Sequence, residues 1–400
     1  MIERALQSQV LELASRYPVL TLTGPRQSGK TTLSKMAFPK KAYVTLENPA
    51  NREFATDDPI GFLGQYGDGA IFDEVQRTPE LPSYLQSLVD DDPSPGRFVL
   101  TGSQNLALMS SVSQSLAGRT ALVELLPLDL SEMRRFPKLA DDIESHVWTG
   151  GYPRIHDRDL PADEWLADYV TTYVERDVRQ ILRVGDLLQF QTFLRLCAGR
   201  TGQLLNLSSL ANDAGISSPT ARSWLSVLET SYIAFRIPQL HANFNKRLVK
   251  SPKLYFYDAG LASNLLGIEQ PGQLLTHPLR GALFETWVIA EIFKQQVHRG
   301  RKPRLYTYQE RGRLEIDLLI DHAGQLTLIE IKSGKTPSSR FFSAQEQFVD
   351  RLAANASGPW RLGHRFVVYG GDETQERSQG TLLSWRDLDR VDWAFPSTEA

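Results

Sequence analysis

A glycine-rich segment near the amino terminus has the residue types and the spacing of a loop that binds phosphate groups. It follows a short apolar stretch, fits the pattern G-x-x-x-x-G-K-[ST], and comprises Gly24, Pro25, Arg26, Gln27, Ser28, Gly29, Lys30, Thr31 and Thr32. The glycines let successive backbone N–H groups turn toward a phosphate, and the next helix adds the positive end of its dipole. We expect Lys30 to bind the β- and γ-phosphates of a nucleotide and the Thr31 hydroxyl to ligate Mg²⁺.

Two adjacent carboxylates supply the second part of such a site. Asp73 and Glu74 directly follow the apolar residues Ala70, Ile71 and Phe72, which are typical of a buried strand. We expect Asp73 to hold the magnesium ion and Glu74 to polarise the water that attacks the γ-phosphate. Together with Lys30, these carboxylates predict hydrolysis of ATP.

Two polar residues further along are candidates for contact with the γ-phosphate. Ser103 or Asn105, which follow the apolar stretch at residues 97–100, would sense that phosphate or hold the attacking water; a polar loop that caps the next helix is the alternative. Arg119 follows Gly118 and would stabilise charge at the ATP site of a neighbouring subunit. A solvated or ion-paired arginine is the alternative at this position.

A second group of carboxylates lies in the last third of the chain. Residues 313–320 and 327–332 are typical of two strands joined by a turn, and alternation along a strand puts Glu330 and Lys332 on one face. Asp317 on the neighbouring strand and Glu285 on an upstream helix are expected beside them. Such oxygen ligands suit Mg²⁺ or Mn²⁺, and Lys332 would orient water at a scissile phosphate. The alternative is a structural cluster in which the acids pair with Lys332 and Arg313.

The segment between these two sites is mainly helical. Residues 207–220 predict a helix, a turn at Gly215, a serine cap and the start of a second helix over 219–230, in which Ala221, Leu225 and Leu228 form an apolar stripe. A following loop carries the basic residues His241, Lys246, Arg247 and Lys250. If this helix-turn-helix binds DNA, the loop would contact phosphates; a spacer that packs on the ATPase is the alternative.

Basic and aromatic residues also alternate between the middle segment and the second carboxylate group. Arg299, Arg301, Lys302 and Arg304 precede Tyr306, Tyr308, Arg311 and Arg313. This pattern is typical of an edge that faces nucleic acid, with a solvated loop as the alternative.

Taken together, these motifs resemble those of prokaryotic AAA+-type (P-loop) ATPases that carry a conserved C-terminal domain of unassigned function. The resemblance extends through residues 173–178, 257–261 and 285–332. It implies an α/β fold: a P-loop NTPase parallel sheet at residues 1–155, a helical winged-helix domain at 156–270, and an α/β restriction-endonuclease-like domain at 271–400.

Composition limits the remaining possibilities. The 400 residues carry a formal net charge of −3, and Cys197 is the single cysteine, so paired-cysteine zinc sites and internal disulfides are excluded. No apolar run approaches the ~20 residues of a membrane helix. We therefore expect a cytoplasmic protein without a membrane partner.

The sequence predicts a Mg²⁺-dependent ATPase that acts on DNA without strong base specificity. Because Arg119 would act across an interface, we expect a ring of identical subunits, with six as one candidate number and ATP sites between subunits. Two alternatives remain: a nucleotide-switched protein-interaction module that binds no DNA, and an ATP-gated, metal-dependent DNA nuclease.

Overall fold

A computed structural model of the chain describes residues 2–103, 114–174, 187–240, 251–310, 314–354 and 359–394. It forms two compact units. The first comprises Met1–Leu128 with the short segments Thr230–Tyr232 and Val297–Gly300, and the second comprises Asp129–Glu229, Ile233–Gln296 and Arg301–Ala400. The division into three domains at residues 155 and 270 stays a prediction.

The first unit contains a five-stranded parallel sheet, as the sequence predicts. Its strands are β1 (Val19–Thr23), β2 (Ala42–Thr45), β3 (Ala70–Asp73), β4 (Phe98–Thr101) and β5 (Thr120–Glu124). Their order in the sheet is β2-β3-β4-β1-β5, so β4 lies between the strand that precedes the glycine-rich loop and the strand that ends in Asp73. The edge strand β5 is not predicted from the sequence; its burial alternates, with Leu122 43% exposed between the buried Ala121 and Val123.

Apolar side chains cover both faces of this sheet. On β3, Ile71 packs into the cluster that contains Leu20, Leu22 and Val99, whereas Phe72 packs on the opposite face. Burial on both faces explains the continuous apolar character of the central strands. The surrounding helices are Gln7–Ala14, Lys30–Ala37, Pro49–Asp57, Pro59–Gly64 and Leu81–Asp91, with a 3₁₀ turn at Val75–Arg77.

The second unit contains the remaining helices of the described residues. They are Leu130–Met133, Ile143–Thr149, Pro153–Arg158, Ala162–Tyr169, the π-helix Val170–Val174, Leu187–Gly199, Leu207–Asp213, Ser218–Thr230, Ala259–Leu265, Arg280–His298 and Ser343–Ala354. Short 3₁₀ segments lie at Pro271–Leu275, Ser339–Phe342 and Trp385–Arg390. Within the described part of the chain, no helix combines the length and the apolar composition that crossing a membrane requires.

The predicted pair of helices is confirmed. Leu207–Asp213 and Ser218–Thr230 are joined through Gly215, which has a φ of 67°, and the stripe of Ala221, Leu225 and Leu228 is buried. The antiparallel strands β6 (Ala234–Ile237) and β7 (Lys253–Phe256) follow. The predicted basic loop with His241, Lys246, Arg247 and Lys250 lies outside the described residues.

A buried carboxylate organises the packing of two of these helices. Asp258 accepts hydrogen bonds from the Leu261 backbone N–H at 2.9 Å, which caps Ala259–Leu265, and from the Gly151 backbone N–H at 2.7 Å. A Cβ at Gly260 would lie 2.7 Å from the backbone of Thr149 and Gly150. The motif at residues 257–261 is therefore explained by close helix packing.

A mixed six-stranded sheet completes the second unit. Its strands are β8 (Leu305–Glu310), β9 (Leu314–His322), β10 (Gln325–Lys332), β11 (Arg361–Tyr369), β12 (Gln375–Arg377) and β13 (Gly380–Ser384), in the order β12-β13-β11-β10-β9-β8. The predicted hairpin is confirmed: β9 and β10 are antiparallel and joined through Ala323 and Gly324, both with positive φ. β10 then pairs in parallel with β11, which the sequence does not predict.

Candidate functional site

The glycine-rich loop lies between β1 and the helix Lys30–Ala37, at the carboxyl end of the strand. Gly24 has a φ of 143°, and a Cβ there would lie 2.1 Å from the Leu125 carbonyl oxygen. Gly29 directly precedes the helix with a φ of 95°. Both positions require glycine, so these glycines fix the path of the loop.

The side chains of the loop fit a phosphate ligand. Lys30 is buried, and its Nζ donates to the carbonyl oxygens of Gly24 at 3.0 Å and of Pro25 at 2.8 Å. Ser28 is fully buried and its Oγ has no hydrogen-bond partner among the described residues. A buried hydroxyl without a hydrogen bond destabilises the fold unless a ligand supplies the missing partner. Arg26 and Gln27 are half-buried beside them, while Thr32 is exposed.

Three hydroxyl groups surround the carboxylate of Asp73. Thr31 Oγ1 and Tyr43 OH donate to Oδ2 at 2.9 and 2.6 Å, and Thr101 Oγ1 donates to Oδ1. Burial and the Asp73 charge raise the pKa of Tyr43, which keeps this hydroxyl a donor. A hydroxyl and a carboxylate side by side are the oxygen ligands that Mg²⁺ prefers, so Thr31 and Asp73 fit that ion.

Gln76 links Glu74 to Ser103. Its Nε2 donates to Glu74 Oε2 and to Ser103 Oγ, the latter at 3.0 Å. Glu74 itself has a left-handed backbone, with φ 58° and ψ 45°, at the start of the 3₁₀ turn Val75–Arg77. The structure thus brings Glu74 and Ser103 to one bridging amide beside Asp73.

Arg119 lies at the amino ends of the strands, whereas the phosphate loop lies at their carboxyl ends. Thr120, the next residue, pairs with Val19 at the start of β1, whereas the loop follows the end of β1. The guanidinium forms a two-point ion pair with Asp90, with distances of 2.5 Å for Nε and 2.8 Å for Nη2. Arg119 therefore does not join the group around Lys30 and Asp73 in its own subunit.

Asp317, Glu330 and Lys332 come together at the β9–β10 hairpin. Asp317 Oδ2 accepts a hydrogen bond from the Ile331 backbone N–H at 2.8 Å, and Lys332 Nζ lies 3.9 Å from the same oxygen. Lys332 Nζ also donates to Glu330 Oε1 at 2.5 Å. Glu330 Oε2 is buried and has no hydrogen-bond partner among the described residues. These oxygens fit a divalent cation.

Glu285 reaches the cluster from the helix Arg280–His298, together with groups that the sequence analysis missed. Glu285 Oε1 accepts hydrogen bonds from Tyr255 OH at 2.6 Å and from Lys253 Nζ at 3.1 Å. Lys253 Nζ also lies 2.7 Å from Glu315 Oε1. We call Glu285, Glu315, Asp317, Glu330, Lys253 and Lys332 the carboxylate–lysine cluster.

Burial governs the protonation of this cluster. Burial, and after it the charge of Asp317, raises the pKa of Glu330 to about 8 and that of Glu285 to about 7. Burial also raises the pKa of Asp317. Burial alone would lower the pKa of Lys253, but the nearby carboxylates outweigh it and hold the pKa above its usual value. Burial therefore favours the neutral form of these carboxylic acids, and a bound cation would favour their charged form.

The basic stretch after the helix Arg280–His298 is only partly available to a ligand. Arg301, Lys302 and Arg304 are exposed. Tyr308, however, is buried against Phe348, with ring centroids 4.9 Å apart, so the expectation that it faces nucleic acid is wrong. Arg311 and Arg313 lie outside the described residues.

Arg4 is a further residue of the phosphate site that the sequence analysis missed. It is 6% exposed, and its guanidinium donates to the Ser28 carbonyl at 2.6 Å and to the Leu126 carbonyl at 2.8 Å. Arg4 thereby fastens the phosphate loop to the chain that leaves β5. Nothing in the sequence around Arg4 indicates this contact, because its partners lie 24 and 122 residues away.

Three family models match successive parts of the chain. One described as an AAA domain matches residues 16–134, a domain of unknown function (DUF8612) matches 140–272, and another (DUF4143) matches 280–388. The glycine-rich loop and Asp73 fall in the first, and Glu285, Asp317, Glu330 and Lys332 fall in the third.

Similar proteins extend along most of the chain. An uncharacterized protein of Mycobacterium tuberculosis is 33% identical over 360 residues, which covers 88% of this chain and 78% of that protein. An uncharacterized protein of Methanocaldococcus jannaschii is 21% identical over 366 residues, covering 84% and 79% respectively. Among solved structures, a Walker-type ATPase of Pyrococcus abyssi aligns with 65% of this chain and 94% of its own, with 15% identity and a TM-score of 0.45.

We expect Arg4→Met to weaken ATP binding by about tenfold, because a charge-assisted hydrogen bond worth roughly 1.5 kcal/mol no longer holds the Ser28 carbonyl. Fluorescent-nucleotide titration measures this change. Arg16→Met is the matched control, since Arg16 forms a surface ion pair with Glu12. Equal nucleotide affinity in both variants would contradict the role of Arg4.

Proposed function

Because the chain belongs to the family of prokaryotic AAA-type ATPases that carry a DUF4143 domain, we propose that it is a Mg²⁺-dependent ATP hydrolase that acts on DNA. The observation that carries the first part is the 2.9 Å hydrogen bond between Thr31 and Asp73 beside the orphaned Ser28 hydroxyl. It joins the phosphate-binding loop to the acidic strand end in one site.

Each residue of this site has a distinct task in hydrolysis. Lys30 exchanges the Gly24 and Pro25 carbonyls for the β- and γ-phosphates of ATP. Thr31 and Asp73 would hold Mg²⁺, which would supply positive charge beside the phosphate oxygens. Glu74 accepts a proton from the attacking water, and Ser103 and Gln76 fix the carboxylate that does so.

We also propose that the protein works as a ring of identical subunits. Arg119 lies at the amino end of β5, away from the loop that follows the carboxyl end of β1, so a role in hydrolysis would require the ATP of a neighbouring subunit. To act there, it must exchange Asp90 for a phosphate, which is a stronger partner for a planar guanidinium.

Lys30→Ala is expected to lower ATP turnover by about a hundredfold or more, because the ammonium group that would stabilise charge on the phosphates at the transition state is removed. Phosphate release from ATP measures the loss, and circular dichroism checks that the fold is retained. Lys40→Ala is the matched control, since Lys40 is exposed just beyond the same helix. Undiminished turnover in Lys30→Ala would refute the ATPase assignment.

The support for DNA is the helix pair Leu207–Asp213 and Ser218–Thr230, together with the exposed cations Arg301, Lys302 and Arg304. A helix-turn-helix presents its second helix to a groove, and exposed cations displace counterions from phosphates. The outward residues Arg222 and Ser223 offer few groups for reading bases, so we propose binding without base specificity.

Fluorescence anisotropy with duplex, single-stranded and branched DNA tests this part. The triple variant Arg301→Gln, Lys302→Gln, Arg304→Gln should reduce the slope of log K against log salt by about 3, since each phosphate contact contributes about 0.9. Lys138→Gln with Arg158→Gln removes exposed cations elsewhere and should leave the slope unchanged. Absence of binding to every DNA at low salt would favour a nucleotide-switched protein-interaction module.

The carboxylate–lysine cluster supports a second candidate function, metal-dependent cleavage of DNA. Glu330 Oε2 is the specific observation, since it is a buried oxygen without a partner beside Asp317. A divalent ion there would activate water and polarise the scissile phosphate. Lys332, 2.5 Å from Glu330, would stabilise the charge that develops on the phosphate.

Labelled DNA incubated with the protein and Mn²⁺ is expected to be cleaved, and Lys332→Ala is expected to lower the cleavage rate by about a hundredfold. Lys335→Ala is the matched control, because Lys335 pairs with Glu144 and not with the cluster. Cleavage that is equal in both variants would come from a contaminating nuclease, and the function would then be withdrawn.

A further inference from the structure

Lys253 is a buried cation that neither proposed activity uses. It lies on β7, is 4% exposed, and its Nζ is 2.7 Å from Glu315 Oε1 and 3.1 Å from Glu285 Oε1. An ammonium group is rarely buried this far unless carboxylates compensate for its lost hydration. Lys253 therefore contributes to the charge balance of the carboxylate–lysine cluster.

The strand that carries Lys253 also fixes Glu285. Side chains two residues apart point to the same face of a strand, so Tyr255 accompanies Lys253 and donates its hydroxyl to Glu285 Oε1 at 2.6 Å. This carboxylate oxygen thus has two donors from one strand. Glu315 is similarly engaged, since Gln309 Nε2 lies 3.5 Å from its second oxygen.

The carboxylates of Glu330 and Asp317 form the other half of the cluster, and one of their oxygens lacks a hydrogen-bond donor among the described residues. Glu330 is 6% exposed, and its Oε2 is buried without a hydrogen-bond partner among the described residues. Asp317, 8% exposed, accepts from the Ile331 backbone N–H and lies 3.9 Å from Lys332. The cluster is therefore divided. Glu285 and Glu315 share the buried Lys253, whereas Glu330 and Asp317 share the partly exposed Lys332, and the buried Glu330 Oε2, without a partner among the described residues, is left for a ligand.

We propose that Lys253 is a built-in cation that occupies one of two cation positions in the cluster and limits it to a single divalent ion, held by Asp317 and Glu330. This inference rests on the metal site of the second candidate function. It goes beyond that function by assigning how many ions the site takes and which side chain sets the number.

Charge counting supports the number. When all four carboxylates are ionised, as metal binding requires, they and the two ammonium groups together carry a formal charge of −2. One divalent ion neutralises this charge, whereas two would leave +2 in a buried site. Uncompensated charge away from water is unfavourable, so the single-ion state is favoured.

Manganese binding to the full-length, nucleotide-free protein tests the proposal, with free Mn²⁺ measured by electron paramagnetic resonance. All counts are made in an Asp73→Asn background, so that the phosphate-loop site does not contribute. We expect one Mn²⁺ per chain, no tight Mn²⁺ after Glu330→Gln, and two after Lys253→Met, which frees Glu285 and Glu315.

Two control variants separate charge from packing. Lys253→Arg keeps the cation and is expected to bind one Mn²⁺, and Lys335→Met removes an ammonium that pairs with Glu144 instead and is also expected to bind one. Circular dichroism establishes that each variant is folded.

The outcomes distinguish this inference from the function on which it rests. No tight Mn²⁺ in the Asp73→Asn protein would overturn the metal site itself, and the inference with it. Two ions in that protein would overturn the role of Lys253, even if Lys253→Met did not fold. One ion in both that protein and folded Lys253→Met would leave the metal site standing and overturn only the inference.

Discussion

Parallel pairing of β4 with both β1 and β3 is the constraint on which the phosphate site depends. The carboxyl ends of parallel strands meet at one edge of a sheet, so this pairing brings the loop after β1, Asp73 at the end of β3 and Thr101 at the end of β4 together. Asp73 can then accept hydrogen bonds from hydroxyl groups on three separate elements. Antiparallel pairing would place these groups at opposite ends of the strands.

How much of the site can be predicted from the sequence depends on how far apart its parts lie. The phosphate loop can be predicted because its chemistry is contained in nine consecutive residues. The hairpin that carries Asp317 and Glu330 can be predicted because its two strands are adjacent in sequence. Arg4, Tyr43 and Lys253 reach their sites from distant segments. Their roles follow only from the way strands and helices pack, which no local pattern records.

The two sites compensate for buried charge in different ways. Asp73 is surrounded by neutral hydroxyl groups, which orient a carboxylate without cancelling its charge. Asp317 and Glu330 instead lie among ammonium groups that cancel part of theirs. The first arrangement leaves the whole negative charge of the carboxylate uncancelled, whereas the second leaves only part of it.

The close approach of Gly24 to Leu125 preorganises the phosphate loop before a ligand binds. With a φ of 143° and no room for a Cβ, Gly24 holds the loop against the backbone that follows β5, and Arg4 fastens Ser28 to the same stretch at Leu126. A preorganised loop loses little conformational entropy when a nucleotide arrives, so more of the contact energy remains as affinity. Residues 125 and 126, which touch no phosphate, are thus part of what makes nucleotide binding favourable.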